Sequence, residues 1–213
     1  MFWYSFLKWT VRVVFFLPIC LDIKRYDDQT YKGKIFVSNH PSTLDPLFVI
    51  AALDESVSTL ITNGVFVFPI AGRVLRAAKQ IPVIDGKGNL AYKNALGRLQ
   101  HGENILIFPE GKLSNEDGKM SKAFSGAARL ALEAKAPLIP IGISLNKRHV
   151  LHKNIYINSQ LEKARFYLLG RYNITIGRAI KGNKNSSIAN LKARLISSIN
   201  TYTAESKKRI LSA

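Results

Sequence analysis

Residues 34–46 read Lys34-Ile35-Phe36-Val37-Ser38-Asn39-His40-Pro41-Ser42-Thr43-Leu44-Asp45-Pro46. The run KIFVS is too short for a helix and suits a buried strand. A polar loop follows it, and residues 42–53 then read as a helix opened by Ser42. The same order recurs outward from this stretch. Residues 57–62 are strand-like and 70–79 helical; 81–84 form a short strand, and 89–99 a helix ended by His101-Gly102. Residues 103–108 (ENILIF) predict a strand, 121–135 an Ala-rich helix, 138–144 (LIPIGIS) a strand and 172–176 another. A final helix is expected over 186–209, with Ser-Ser at its start. Strands alternating with helices of this length predict an α/β fold, a mostly parallel sheet flanked by helices. Sites in such sheets gather at the carboxyl ends of strands. The loops after Ser38 and after Phe108 are therefore the places to look.

The whole chain fits one domain. Its 213 residues are 47% apolar and 21% charged, ordinary globular usage that excludes disorder, a collagen-like repeat and a disulfide scaffold. The single cysteine, Cys20, has no intramolecular partner and lies in an apolar run, where a buried or lipid-facing thiol is expected. Four His and one Cys argue against a structural zinc site, and no metal or cofactor is expected.

The charge is abnormal: 31 Lys+Arg against 14 Asp+Glu, net +17. Residues 1–118 hold 13 basic and 11 acidic side chains, net +2; residues 119–213 hold 18 and 3, net +15. This asymmetry points to a polyanionic partner, either nucleic acid or an anionic membrane face. The basic half carries no nucleic-acid motif and no stacking ribbon of aromatics. Residues 1–22 favour the membrane. Seven of the first sixteen residues are aromatic: Phe2, Trp3, Tyr4, Phe6, Trp9, Phe15 and Phe16. Trp and Tyr concentrate at membrane–water interfaces. The uncharged apolar run 13–21 is too short to span a bilayer, which takes about 20 residues. On a helix, Ser5, Lys8 and Arg12 share one stripe, so residues 1–22 are expected to lie in the interface with that stripe toward headgroups. Residues 23–213 would be the catalytic domain.

His40 and Asp45 are five residues apart, too far round a continuous helix to meet. Pro41 and Ser42 break the chain between them, with Ser42 as N-cap and Asp45 in the first turn. The chain can then reverse and bring imidazole to carboxylate. In such a pair the carboxylate fixes the His tautomer while the other ring nitrogen takes a proton from a hydroxyl. The second loop reads Phe108-Pro109-Glu110-Gly111-Lys112-Leu113-Ser114. Gly111 permits positive φ or close backbone approach, Glu110 stands where an α/β sheet presents ligand groups, and Lys112 can serve an anion.

Together the two loops resemble the phospholipid/glycerol acyltransferase family of the PlsC type, which includes 1-acylglycerol-3-phosphate acyltransferases. Asn39, His40 and Asp45 match its Asn-His-x4-Asp block. Phe108, Pro109, Glu110, Gly111 and Ser114 match its Phe-Pro-Glu-Gly-Thr-Arg-Ser block, with Lys112-Leu113 in place of Thr-Arg. Pro69-Ile70-Ala71-Gly72, with the strand around Ile81, resembles its second block, where Asp85 stands near the usual Arg. Residues 136–142 resemble its fourth. The resemblance covers roughly residues 20–180 and implies the glycerolipid acyltransferase fold.

It further implies an O-acyltransferase that moves a fatty acyl group from acyl-CoA or acyl carrier protein, as co-substrate, to a lysophospholipid hydroxyl. The expected product is phosphatidic acid from 1-acylglycerol-3-phosphate; an amino-acid lipid is the alternative acceptor. His40 would be the general base and Asp45 its orienting partner. Backbone N–H groups around Gly111 would meet the oxyanion. Asn39, Glu110, Gly111, Lys112, Arg73 and Arg76 would bind substrate. The implied setting is peripheral or monotopic, on the cytoplasmic face of a membrane.

Overall fold

The computed structural model describes residues 2–16, 18–26, 30–157, 160–183 and 186–211. Its strands are β1 (Ile19–Arg25), β2 (Ile35–Ser38), β3 (Val57–Thr62), β4 (Ile81–Val83), β5 (Asn104–Ile107), β6 (Leu138–Leu145), β7 (Val150–Ile157), β8 (Gln160–Tyr167) and β9 (Gly170–Ile176). Its helices are α1 (Phe2–Phe16), α2 (Asp45–Ala52), α3 (Asn63–Phe66), α4 (Pro69–Ala77), α5 (Gly88–Gln100), α6 (Gly126–Glu133) and α7 (Ile188–Leu211). One sheet has the order β1-β9-β6-β2-β5-β3-β4. From β6 to β4 all neighbours pair parallel, β9 runs antiparallel to β6, and β1 pairs parallel with β9. The mostly parallel α/β expectation holds.

Alternation along each strand builds two apolar layers. Phe36 and Leu106 face one layer, where they meet Leu7 and Val11 of α1 and Phe48–Leu53 around α2. Ile35, Val37, Ile105 and Ile107 face the other, against Ala91, Ala95 and Leu99 of α5, Ala127–Ala131 of α6 and Leu191, Leu195 and Ile199 of α7. Period-2 side chains buried on both faces are what a helix-covered parallel sheet requires. Backbone approaches backbone closely at Gly142 of β6. A Cβ there would lie 2.1 Å from the Thr203 amide nitrogen of α7. Gly142→Ala must push α7 off the sheet, and it is expected to destabilise by roughly 1–3 kcal/mol, measured by chemical denaturation.

Several expected boundaries move. Residues 42–44 form a turn and α2 starts at Asp45, with Leu44 at the cap position and no side-chain cap. Ser42 is therefore not the N-cap; its hydroxyl donates to the Arg165 carbonyl at 3.1 Å. Residues 121–125 precede α6 because the Phe124 amide donates to the Pro109 carbonyl at 2.7 Å, which ties them to the second loop. The β7–β8 hairpin has no counterpart in the sequence pattern. Its strands are mostly exposed on both sides, so they carry little period-2 signal. The weakly patterned stretch 181–187 includes residues 184–185, which lie outside the described residues.

The amino-terminal segment divides differently from a single helix over 1–22. The helix ends at Phe16, and Ile19–Arg25 joins the main sheet beside β9. Cys20 is exposed on this edge strand rather than buried. The basic stripe is also reassigned. Lys8 donates to the Leu53 carbonyl at the end of α2, where a cation meets the negative end of the helix. Tyr4 accepts from the Val57 amide and donates to the Glu55 carbonyl. Lys8 and Tyr4 are thus turned inward, while Ser5 of the expected stripe is exposed and the side chain of Arg12 lies outside the described residues. Outward stand Trp3, Phe6, Trp9 and Val13, with Trp9 61% exposed. Phe6 packs edge-on to Trp3 and stacks on Trp9. Among the described residues no helix is long and apolar enough to cross a membrane.

Candidate active site

The site starts where β2 ends. Asn39 is wholly buried, and its carboxamide donates to the carbonyls of Gly118 (2.8 Å) and Ile143 (2.9 Å) while accepting from the Ile143 amide (2.8 Å). Every polar atom it offers is engaged by backbone. Asn39 is a clamp that fixes the loop's departure from the sheet; it is not exposed to substrate, contrary to the sequence-based expectation.

His40 follows. Its Nδ1 lies 2.8 Å from Asp45 Oδ2, so the chain reversal at Pro41–Ser42 does unite the pair. Asp45 is 0% exposed and has three donors: His40, the Ser42 amide at 2.8 Å and the Tyr172 hydroxyl. An ionised buried carboxylate needs such a set. Burial, then the neighbouring Asp45 charge, pushes the Tyr172 hydroxyl well above its ordinary pKa, so it stays a donor. With Asp45 accepting from Nδ1–H, the unprotonated nitrogen is Nε2. Among the described residues Nε2 has no hydrogen-bond partner, and the side chain is 18% exposed. The Phe108 ring lies 4.5 Å from the imidazole, centre to centre. A geometrically fixed imidazole with one free basic nitrogen can accept a proton from a docked hydroxyl.

The second loop is stitched to the first by Ser114. The Ser114 amide donates to the His40 carbonyl (2.9 Å), and the His40 amide donates to Ser114 Oγ (2.7 Å). That hydroxyl in turn donates to Glu110 Oε1. Glu110 is half-buried and faces inward, so it braces the His40 backbone. Burial raises its carboxyl above the usual range, opposed by Ser114, by the His40 amide and charge, and by Arg165. Gly111 has φ +64°, and a Cβ there would lie 2.8 Å from the Phe124 ring. Its amide already donates to the Phe108 carbonyl at 3.3 Å, so Gly111 itself is not a free donor among the backbone N–H groups of this loop. Lys112 is exposed, and its amide makes no hydrogen bond among the described residues.

Arg73 and Arg76 sit on α4, which follows α3 beyond the carboxyl end of β3. Arg73 is exposed; Arg76 donates to the Phe66 carbonyl at 3.1 Å. Two residues absent from the sequence reading reach the loops. Tyr172, at the start of β9, arrives because β9 runs antiparallel to β6. Arg165 of β8 donates to the Ser114 carbonyl. Its own amide donates to Thr43 Oγ1, and its carbonyl accepts from the Thr43 amide. A buried tyrosine hydroxyl always needs a partner, which is the only signal that could have flagged Tyr172. Arg165 offered none.

The family model described as Acyltransferase matches residues 22–144, more than half of the chain and all of both loops. The chain belongs to the acyltransferase family. The chain is 29% identical over 143 residues to a 1-acyl-sn-glycerol-3-phosphate acyltransferase of Pseudomonas aeruginosa, covering 65% of the chain and 54% of that relative. A lyso-ornithine lipid O-acyltransferase of the same organism is also 29% identical, covering 65% of the chain and 53% of the relative. The chain thus spans about half the length of these curated relatives. Its fold matches the crystal structure of the 1-acyl-sn-glycerophosphate acyltransferase PlsC of Thermotoga maritima, with a TM-score of 0.72 at 16% identity. That match covers 96% of the chain and 78% of the crystal structure's chain.

Proposed function

We propose that this acyltransferase moves a fatty acyl group from an acyl-thioester, acyl-CoA or acyl carrier protein, to the hydroxyl of a lysophospholipid. The observation that carries this reading is the His40–Asp45 pair with Nε2 free. Nε2 takes the proton from the acceptor hydroxyl, and the hydroxyl oxygen attacks the thioester carbonyl. The imidazolium is held by Asp45, and the tetrahedral oxyanion collapses with loss of the thiol, which recovers the proton. No acyl-enzyme is needed, because the nucleophile belongs to the substrate. The amide of Lys112, which makes no hydrogen bond among the described residues, is the candidate oxyanion donor.

1-Acylglycerol-3-phosphate is the first acceptor to try, giving phosphatidic acid. Lys112-Leu113 favour a second reading. Leu113 offers no guanidinium where the family pattern carries Arg, and a bidentate Arg is not replaced by a point charge. A lyso-ornithine relative at the same identity fits an amino-acid lipid acceptor. Thiol release is to be measured with lysophosphatidate, lyso-ornithine lipid and monoacylglycerol in parallel. Turnover is expected with one of the two polar lyso-lipids. Silence with all three would overturn the reading.

The acyltransferase would work on a membrane surface, cytoplasmic face. Trp3, Phe6 and Trp9 stand outward on α1, and Val67, Phe68 and Ile70 stand exposed where α3 meets α4, the helix that α1 contacts. Lipid is the solvent such a surface fits. The basic second half adds about 1 kcal/mol per residue held near an anionic bilayer. Liposome flotation is expected to rise with anionic lipid, to weaken with salt, and to fall in Trp3→Ser/Trp9→Ser. Indifference to lipid charge and to salt would refute the electrostatic part.

A further inference from the structure

A cavity of about 460 Å³ reaches Pro41, the residue after His40. Its walls come from the loop after β2, the end of β6, the single 3₁₀ turn Lys147–His149, the β7–β8 hairpin and the end of α7. Pro41, next to His40, lines it, and so does Arg165. Lys147, Arg148, Lys207 and His152 complete its basic lining. The size suits a small-ligand site, about 300–1,000 Å³.

The charge in this cavity is unbalanced. Lys147 and Arg148 share the 3₁₀ turn and Lys207 comes from α7, and none of them is in a salt bridge among the described residues. Glu116 and Asp117 also line the cavity. Both are exposed, and Asp117 is turned to the Lys119 amide at 3.0 Å. Four permanent cations therefore face two carboxylates. Gathering like charges at one concavity costs energy that a bound anion offsets. Arg165 is the best placed of them. Its backbone is held at Thr43 and Ser42, and its guanidinium is tethered at Ser114. The planar fork keeps further donors for a phosphate, which a lysine could not present in the same way.

We propose that this cavity is a phosphate-binding subsite, with Arg165 as its recognising residue and Lys147, Arg148 and Lys207 as its supporting charges. It anchors the phosphorylated end of a substrate while the reactive end lies at His40; naming that substrate rests on the acyl-transfer reading. The phosphate belongs either to a lysophosphatidate acceptor or to the coenzyme A of the donor. In the first case the cavity supplies the cation that Leu113 does not.

The test is equilibrium binding to the full chain, so it does not depend on turnover. Lysophosphatidate, coenzyme A and monoacylglycerol, the phosphate-free control, are titrated into wild type, Lys147→Gln/Lys207→Gln and Arg165→Lys. At least one phosphate compound is expected to bind about ten-fold or more weakly to each variant, with monoacylglycerol and the thermal midpoint unchanged. A loss confined to lysophosphatidate assigns the cavity to the acceptor; one confined to coenzyme A assigns it to the donor. Unchanged binding of both, or an equal loss with monoacylglycerol, overturns the proposal. Charge-dependent binding in a chain that transfers no acyl group would refute the acyl-transfer reading and keep the cavity. Acyl transfer with unchanged binding would do the reverse.

Discussion

His40→Ala reduces acyl transfer to background while the protein stays folded. The expected loss is large because the side chain holds the imidazole nitrogen that Asp45 orients and that has no hydrogen-bond partner among the described residues. Positioned general bases contribute about 10²–10⁴-fold, and no neighbour can replace this one. Glu110 faces Ser114, and Tyr172 is pushed far above its ordinary pKa. The structural cost is small by comparison. The backbone bonds between His40 and Ser114 survive the substitution, and Asp45 keeps the Ser42 amide and the Tyr172 hydroxyl. A lost imidazole bond is worth about 1 kcal/mol, or about 2–4 °C in the thermal midpoint for a chain of this size. Steady-state thiol release, read beside a melting curve and liposome flotation, separates the two. Wild-type turnover in this variant would remove His40 from the mechanism.

Asp45→Asn is expected to fail in two ways at once. The anion that stabilises the imidazolium is gone, and the amide can present its N–H₂ to Nδ1, which selects the wrong tautomer. By analogy with hydrolase triads the rate falls by about four orders of magnitude. Asp45 is also fully buried with three donors aimed at it. An amide has only one acceptor oxygen, so a buried donor is left without a partner, at about 1–3 kcal/mol. A residue that merely opens α2 would cost about 1 kcal/mol and leave the rate alone. Tyr172→Phe divides the effects: it removes one donor and keeps the carboxylate. It should therefore destabilise measurably while retaining most of the rate. Equal rates in Asp45→Asn and wild type would reduce Asp45 to a structural role.

The pairing of His40 with Asp45 was legible because both lie in one loop, with a proline between them to force the reversal. The parallel core was legible for a similar reason. Ile35–Ser38 and Asn104–Ile107 are short apolar runs that only a two-sided sheet can bury. What stayed hidden depends on contacts distant in sequence. Tyr172 reaches Asp45 across 127 residues, and Arg165 reaches Ser114 across 51. No local pattern marks either. Asn39 looked like a ligand group since it precedes the histidine, yet its neighbours on β6 and at Gly118 consume it. Lys8 misled in the same way. Helical spacing placed it on a polar stripe, but the end of α2 supplied a carbonyl for it. Ile19–Arg25 was obscured by the apolar run that leads into it, which continues the hydropathy of α1 without continuing its helix.

The central claim is direct acyl transfer to a lyso-lipid hydroxyl by the His40–Asp45 pair. Purified wild type and His40→Ala are each incubated with an acyl-thioester and with lysophosphatidate or lyso-ornithine lipid, and the lipids are weighed by mass spectrometry. One of these acceptors is expected to gain a single acyl chain with wild type and nothing with His40→Ala. Equal product with both proteins, or no acylated lipid from the wild type with either acceptor, would contradict the claim.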